Sequence, residues 1–330
     1  MSIVQVIDIG GDTRRVAAEL DVVCRRVGFF QITGHGVDES VVAGAWAAAT
    51  TFFDLPLEQR LDAERPWPGY PYGYVPLSGE TLSRSLVDDL SVDATEDAAP
   101  DLKEVLNIGP IRPPSHQLAD DVERLMFAPS LWPSTMPKLR PAMEAYFDEM
   151  LALGRRLLRL LATALDVPNN FFAATIDRTP SSMRAINYPE QSMPPLPGQL
   201  RAGAHTDYGT FTMLRQDDAP GGLEVLDPQR QQWVAVPSVE DAFVINVGDM
   251  LARWTNDRWR STMHRVVNPP ASGRTRRQSI AFFHNANYDC EVVCLPSCSS
   301  ADNPPRYEPV LAGPHLMAKF ARTVDGRDDS

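Results

Sequence analysis

Residues 202–216, AGAHTDYGTFTMLRQ, read as two short β-strands, Ala202–His205 and Thr210–Gln216, separated by a turn. The same punctuation continues on both sides. Met183–Tyr188 precedes it, and Leu223–Leu226, Trp233–Val236, Phe243–Val247, Met263–Val267 and Ser279–Phe283 follow. Turn signals recur at Asp217–Gly222, Asp227–Gln232, Gly248–Asp249 and Pro269–Gly273. Many short strands at this spacing predict a sandwich, jelly roll or barrel.

Upstream the period changes. Lys138 to Leu165 carries Met143, Phe147, Met150, Leu151, Leu157, Leu158, Leu161 and Leu165 on one helical face, long enough to support a sheet. Further back, the pattern predicts a strand at Val4–Ile9 and a helix over Thr13–Arg26. A second strand follows at Gly28–Ile32, then a helix capped by Asp38 that runs to about Phe53. Residues 62–115 are rich in Gly and Pro and include an acidic stretch, Asp88 to Asp101; a long loop region is expected there. The fold class is α+β, a β core with N-terminal helices and one long supporting helix. The expected organisation is an N-terminal helix, strand and loop region over 1–115, helical support over 116–178, the β core over 179–295, and a C-terminal extension over 296–330.

Composition bounds the function. The chain has 330 residues, of which 43% are hydrophobic and 22% charged, which fits a folded protein with an ample core. Its net charge of −12 disfavours a nucleic-acid binder. No basic segment precedes the first apolar run, so no secretory signal is expected. The apolar stretch Val41–Phe53 is too short to cross a bilayer. A cytoplasmic protein, monomeric and away from membranes, is the expectation. Cys290, Cys294 and Cys298 have a spacing that matches no zinc or haem motif and read as reduced thiols.

His205 and Asp207 lie two apart at a strand end, so their side chains project to one side. His264 sits in a later strand pattern. Two histidines and one carboxylate, with no fourth protein ligand, match the facial triad of non-haem Fe(II) oxygenases, which leaves positions open for a chelator and O2. Arg277 and Ser279 also lie two apart. A guanidinium pairs with a carboxylate in bidentate fashion and a hydroxyl adds a third hydrogen bond, which suits the far carboxylate of a dicarboxylate chelator. Phe283 shares that face, whereas His284 falls on the other. Arg184, four residues before Tyr188, is a candidate for holding an anionic substrate. Tyr70, Tyr72 and Tyr74, among Pro and Gly, are candidates for a substrate lid. His35, in a Gly-flanked turn, reads as a turn stabiliser.

In this order, H205-T-D207, H264 and R277-Q-S279 resemble the isopenicillin N synthase-like branch of the 2-oxoglutarate/Fe(II)-dependent dioxygenases. Gly28–Val37, Phe52–Pro56, Lys103-Glu104, Asn187-Tyr188-Pro189, Asn246–Asp249 and Trp254–Arg258 are similar to segments of the same family, over roughly residues 3–295. The resemblance implies a double-stranded β-helix, or jelly roll, with iron held by His205, Asp207 and His264. It implies that Arg277 and Ser279, helped by Tyr188 and Asn187, bind 2-oxoglutarate. Phe283, Arg184, Tyr72 and Tyr74 become the candidates for substrate contact. The implied reaction uses Fe(II), 2-oxoglutarate and O2, releases succinate and CO2, and oxidises a C–H bond of a small molecule by hydroxylation, desaturation or cyclisation. Three other readings stay open at this point: an Fe(II) oxidase of the isopenicillin N synthase type that uses no 2-oxoglutarate, a catalytically silent ligand-binding module, and a zinc hydrolase. The last would need a general base that the sequence does not offer beside His264.

Overall fold

The computed structural model describes residues 3–83, 99–112, 114–191, 193–270 and 275–324. Two sheets face each other. The major sheet has eight strands: β1 (Gln5–Asp8), β2 (Phe29–Thr33), β3 (Gly73–Val75), β4 (Glu104–Ile108), β5 (Ser182–Tyr188), β7 (Phe211–Gln216), β10 (Phe243–Val247) and β12 (Arg277–His284). Their spatial order is β1-β2-β10-β7-β12-β5-β4-β3. The minor sheet contains β6 (Ala202–His205), β8 (Leu223–Asp227), β9 (Gln232–Ala235) and β11 (His264–Val266), in the order β6-β11-β8-β9. Strands that alternate between two sheets along the chain make the jelly roll. A separate hairpin-like pair joins β13 (Glu291–Val292) to β14 (Val310–Leu311).

Helices cover the outer face of the major sheet. Helix α1 (Thr13–Arg26) starts where the Asp12 carboxylate accepts the Arg15 amide, and it buries Val16, Leu20 and Val23. It ends at Gly28, whose φ of +66° and close approach to the Arg260 carbonyl leave no room for a side chain. Helix α2 (Glu39–Asp54) is capped by Asp38. The long α5 (Leu139–Ala164) buries Met143, Phe147, Met150, Leu157, Leu158 and Leu161. Each such side chain contributes about 1.5–3 kcal/mol when withdrawn from water. Phe147 meets Phe282 of β12 edge to face with 4.9 Å between ring centroids. Gly154 leaves the space that the His284 ring fills. Among the described residues no helix is long and apolar enough to cross a membrane.

The strand and helix patterns from the sequence reappear with boundaries shifted by a few residues. The expectation of an irregular 62–115 region is corrected. It contains β3 and β4, and β4 pairs with β5 over five residues to extend the major sheet. Most of the acidic stretch lies outside the described residues, which omit 84–98. Four α-helices had no sequence reading, among them α4 (Asp121–Met126) and the C-terminal α7 (Ala312–Val324). The two remaining short helices are α3 (Leu57–Arg60) and α6 (Asp249–Trp254).

Strand register fixes which side chains enter the barrel. On β12, Arg277, Ser279, Ala281 and Phe283 point inward, opposite Tyr188, Ile186, Arg184 and Ser182 of β5. Gln278, Ile280, Phe282 and His284 point to the helices, as do Glu104, Leu106 and Ile108 of β4.

Candidate metal centre and co-substrate clamp

His205 closes β6 and His264 opens β11; the two are register partners across the minor sheet. Asp207 lies in the loop after β6, anchored where the Asp249 amide donates to the Asp207 carbonyl at 2.8 Å. The three side chains converge, with ligand atoms all within 4.8 Å of one another. The Nε2 atoms of His205 and His264 stand 3.9 and 3.8 Å from Asp207 Oδ1.

Backbone carbonyls fix the imidazoles. His205 Nδ1 donates to the Gly203 carbonyl at 2.7 Å and His264 Nδ1 to that of Thr262 at 3.2 Å, so each Nε2 lone pair faces its neighbours. Burial, reinforced by the nearby His264, pushes the His205 imidazole down to about 3 against the pull of Asp207, so it is a neutral ligand at neutral pH. Burial acts to raise the Asp207 carboxyl. The opposing pull of His264 and His205, with hydrogen bonds from Asn246 and Thr212, holds it net below the usual carboxylate range. Both of those hydrogen bonds go to Oδ2, which leaves Oδ1 turned toward the histidines. Two imidazoles and one carboxylate, with no fourth ligand grouped among the described residues, fit a divalent metal with open positions.

The second cluster stands on the inner face of the major sheet. Arg277 is 1% exposed. Its Nη2 donates to Gln216 Oε1 at 2.8 Å and its Nε lies 3.9 Å from Asp217 Oδ1. Tyr188 is its direct partner on β5, and the guanidinium carbon sits 4.9 Å from the Tyr188 ring centroid. Arg201 approaches the same ring at 5.8 Å. Arg277 Nη1 and Ser279 Oγ are buried with no hydrogen-bond partner. A buried donor left unpaired costs about 1–3 kcal/mol, so two on one inward strand face suit a bound acceptor. A carboxylate matches both. A cleft of about 570 Å³ reaches Arg277 from the Gly221–Leu223 side, and its lining includes none of the triad.

The other sequence candidates divide by strand parity. Arg184 and Phe283 face inward, with the Arg184 guanidinium 5.9 Å from the Phe283 ring centroid. Asn187 is corrected: its neighbour Tyr188 faces inward, so Asn187 faces the helices. There its Nδ2 donates to Glu104 at 2.7 Å and its Oδ1 accepts from Arg276 at 2.8 Å. Tyr74 is corrected for the same reason. It pairs with Leu106 on the helix side, its hydroxyl donates to Glu104, and its ring packs on Phe52. Tyr72 and Tyr70 form a satellite cluster with Ala128, and their hydroxyls donate to the Met126 and Pro129 carbonyls. None of the three tyrosines forms a lid over the triad. His35 ties its turn, with Nδ1 accepting the Val37 amide and Nε2 donating to the Asp241 carbonyl. His284 stacks on Phe211 on the helix side, away from the triad. Cys24, Cys290, Cys294 and Cys298 are free thiols.

Sequence reasoning missed Asn246 and Thr212 as supports of Asp207, although Asn246 stands at an inward position of a recognised strand. It also missed Asn107, an inward residue on the unread β4 whose amide atoms are both buried without a partner.

A jelly roll with two histidines and an aspartate at one mouth, and an arginine–serine pair on the facing sheet, defines a non-haem iron oxygenase. The comparisons agree. Residues 180–286 match the 2OG-Fe(II) oxygenase superfamily, and residues 4–135 match the N-terminal region described as non-haem dioxygenase in morphine synthesis. The chain is 36% identical to the 2-oxoglutarate-Fe(II) type oxidoreductase hxnY of Emericella nidulans, over 87% of this chain and 78% of that protein. It is 32% identical to homoarginine-6-hydroxylase of Oryza sativa, over 93% and 89% of the two chains. A 2OG-Fe(II) oxygenase family protein from Caulobacter crescentus superposes with a TM-score of 0.82 at 30% identity, covering 97% of this chain and 99% of that one. A full-length Neurospora crassa protein in complex with alpha-KG and thymine does so at 0.81 and 30% identity, covering 97% of each.

The chain therefore belongs to the 2OG-Fe(II) oxygenase superfamily, in its isopenicillin N synthase-like branch. It is a 2-oxoglutarate- and Fe(II)-dependent dioxygenase of small-molecule metabolites.

Proposed function

We propose that His205, Asp207 and His264 hold the ferrous ion, and that Arg277 and Ser279, with Tyr188 beside them, hold the distal carboxylate of 2-oxoglutarate. Ferrous iron, 2-oxoglutarate and O2 together supply an oxidant for an unactivated C–H bond, with release of succinate and CO2. The protein's part is placement. Gln216 and Asp217 hold the Arg277 fork so that Nη1 and the Ser279 hydroxyl present donors to one carboxylate. Asn246 and Thr212 hold the rear oxygen of Asp207, which keeps the carboxylate ionised and aimed. Ile186, Leu214, Val225 and Val244 line the interior between the two clusters and exclude water there.

The observation that carries this reading is the pair of unpartnered buried donors, Arg277 Nη1 and Ser279 Oγ, on the same barrel interior as the triad. It supports a bound carboxylate at Arg277, and succinate formation is what separates 2-oxoglutarate use from a 2-oxoglutarate-independent oxidase. A net charge of −12 supports a free metabolite rather than a nucleic acid as substrate. The test is succinate formation against oxygen consumption with Fe(II) present, together with metal analysis of the His264→Ala variant. Succinate equal to 2-oxoglutarate consumed is expected, with both iron retention and turnover lost in His264→Ala. Oxygen uptake without succinate, or full iron content in the variant, overturns the assignment.

A further inference from the structure

Beside the triad lies a cluster of four charges, two buried and two partly exposed, that the co-substrate clamp does not use. Arg184, on the inner face of β5, donates from Nη1 to Glu80 Oε2 at 3.1 Å, its one hydrogen bond among the described residues. The same Glu80 oxygen lies 3.7 Å from Lys103 Nζ. Lys103 is in turn bonded to Asp101 Oδ2 at 2.9 Å, and both side chains are 3% exposed. Asp101 Oδ1 accepts the Gly203 amide at 2.9 Å, two residues before His205, so the cluster adjoins the metal site. Burial acts to raise the Glu80 carboxyl, and Arg184, Lys103 and Arg65 together hold it net below the ordinary range.

Around Arg184 the inner surface is prepared for a ligand. Asn107 is its register partner on β4 and is 3% exposed, and neither amide atom has a partner. One amide can therefore give and receive a hydrogen bond. On the other side, the Phe283 ring lies under the guanidinium. The guanidinium has five N–H donors and spends one on Glu80.

Resting on the function proposed above, we propose that the oxidised substrate is a small monocarboxylate whose carboxylate docks on Arg184. A hydroxyl, carbonyl or amine of the same molecule meets Asn107, its apolar body covers Phe283, and Glu80 gives up Arg184 for Lys103. The carboxylate class follows from the occupant already there, since Arg184 holds a carboxylate and Glu80 has a second cation in reach. The count of charges disfavours a dianion such as a phosphate ester. The charge of Arg65 also bears on Glu80, so three cations face two carboxylates; one added negative charge completes the balance and a second is an excess. Glu80 thus tunes affinity as a built-in competitor.

Benzoate and its neutral isostere benzamide are the probes, titrated anaerobically by calorimetry into full-length protein loaded with Fe(II) and 2-oxoglutarate. Benzoate is expected to saturate and to bind roughly tenfold or more tightly than benzamide. Arg184→Gln should bring benzoate down to the level of benzamide. Glu80→Gln should tighten benzoate binding several-fold, because the competitor loses its charge. Equal binding of the two probes, wild-type affinity in Arg184→Gln, weaker benzoate binding in Glu80→Gln, or no saturable benzoate binding in either wild type or Glu80→Gln overturns the proposal. Binding of 2-oxoglutarate, measured in the same proteins, separates the two readings. If it is absent from wild type, the co-substrate assignment fails; if it is present while the probes are not distinguished, only the substrate class fails. Retained 2-oxoglutarate binding in Arg184→Gln also shows that this variant is folded.

Discussion

Strands β4, β5 and β12 have two faces built from alternate residues of the same segments, and the two faces differ in how their polar groups are partnered. Toward the helices, Glu104 accepts from Arg60, Tyr74 and Asn187. Asn187 accepts from Arg276, which also pairs with Asp54. Gln278 accepts from Thr50 and donates to the Trp46 carbonyl. Toward the barrel, Asn107, Ser279 and one nitrogen of Arg277 are buried and unpaired. On the helix side the polar groups share partners, with Arg60 Nε, Arg276 Nη2 and the His284 ring nitrogens left over; on the barrel side both amide atoms of Asn107 and the Ser279 hydroxyl have none among the described residues, which suits a surface that takes a ligand. The contrast separates residues one position apart, such as Asn187 and Tyr188, into scaffold and site.

The largest effect that tests this contrast should come from the helix side. Glu104→Ala removes the shared acceptor and leaves the guanidinium of Arg60, 16% exposed, without its partner. A loss of about 3–5 kcal/mol in urea unfolding is expected, with an unchanged KM for 2-oxoglutarate in the folded fraction. An altered KM with unaltered stability would break the division. On the barrel side the pattern should invert. Arg277→Gln is expected to raise the KM for 2-oxoglutarate roughly 10- to 100-fold, the value of a charge-assisted pair at about 1.5–3 kcal/mol, while stability moves by less than about 1 kcal/mol. A large loss of stability with normal KM would assign Arg277 to the scaffold.

His284 sharpens the comparison with a smaller effect. It faces the helices, yet neither ring nitrogen has a partner. Burial pushes its imidazole down from 6.5 to about 3, with Arg155 acting in the same direction. In the unfolded chain the ring takes up a proton as pH falls through about 6.5, whereas the folded protein resists until near 3. Its contribution to stability is therefore full above about pH 6.5 and is lost as pH falls, amounting to about 2 kcal/mol by pH 5. His284→Leu should lessen the slope of that part of the pH–stability curve in chemical denaturation, measured against wild type under metal-free conditions, with the share of the similarly depressed His205 remaining. An unchanged slope would show that His284 is not the titrating group.

Much of this was legible in the chain because strand alternation is a strict rule. The rule placed His205 with Asp207 and Arg277 with Ser279 on common faces, and it placed His284 away from them. Applied once more, it would have turned Asn187 away from Tyr188 and thus away from the clamp. The resemblance, rather than the parity, had assigned Asn187. Strand β4 was illegible for a different reason. All five of its residues, Glu104 to Ile108, are buried, and a buried glutamate and asparagine erase the polar–apolar alternation by which a half-buried strand is read. The charge of Glu104 is met by Arg60, distant in sequence, and Glu80 meets Arg184 across a still longer separation. Such pairs carry no local spacing, so they emerge only once the chain is folded.

The metal-facing histidines come from β6 and β11 of the minor sheet, whereas the clamp and the Arg184–Asn107–Phe283 surface ride on the major one. Changes confined to Arg184, Asn107 and Phe283 are therefore expected to alter which molecule is taken while the metal ligands, on separate strands, keep their places. The major sheet thus carries a fixed clamp and an adaptable surface side by side, and the minor sheet brings the histidines to them.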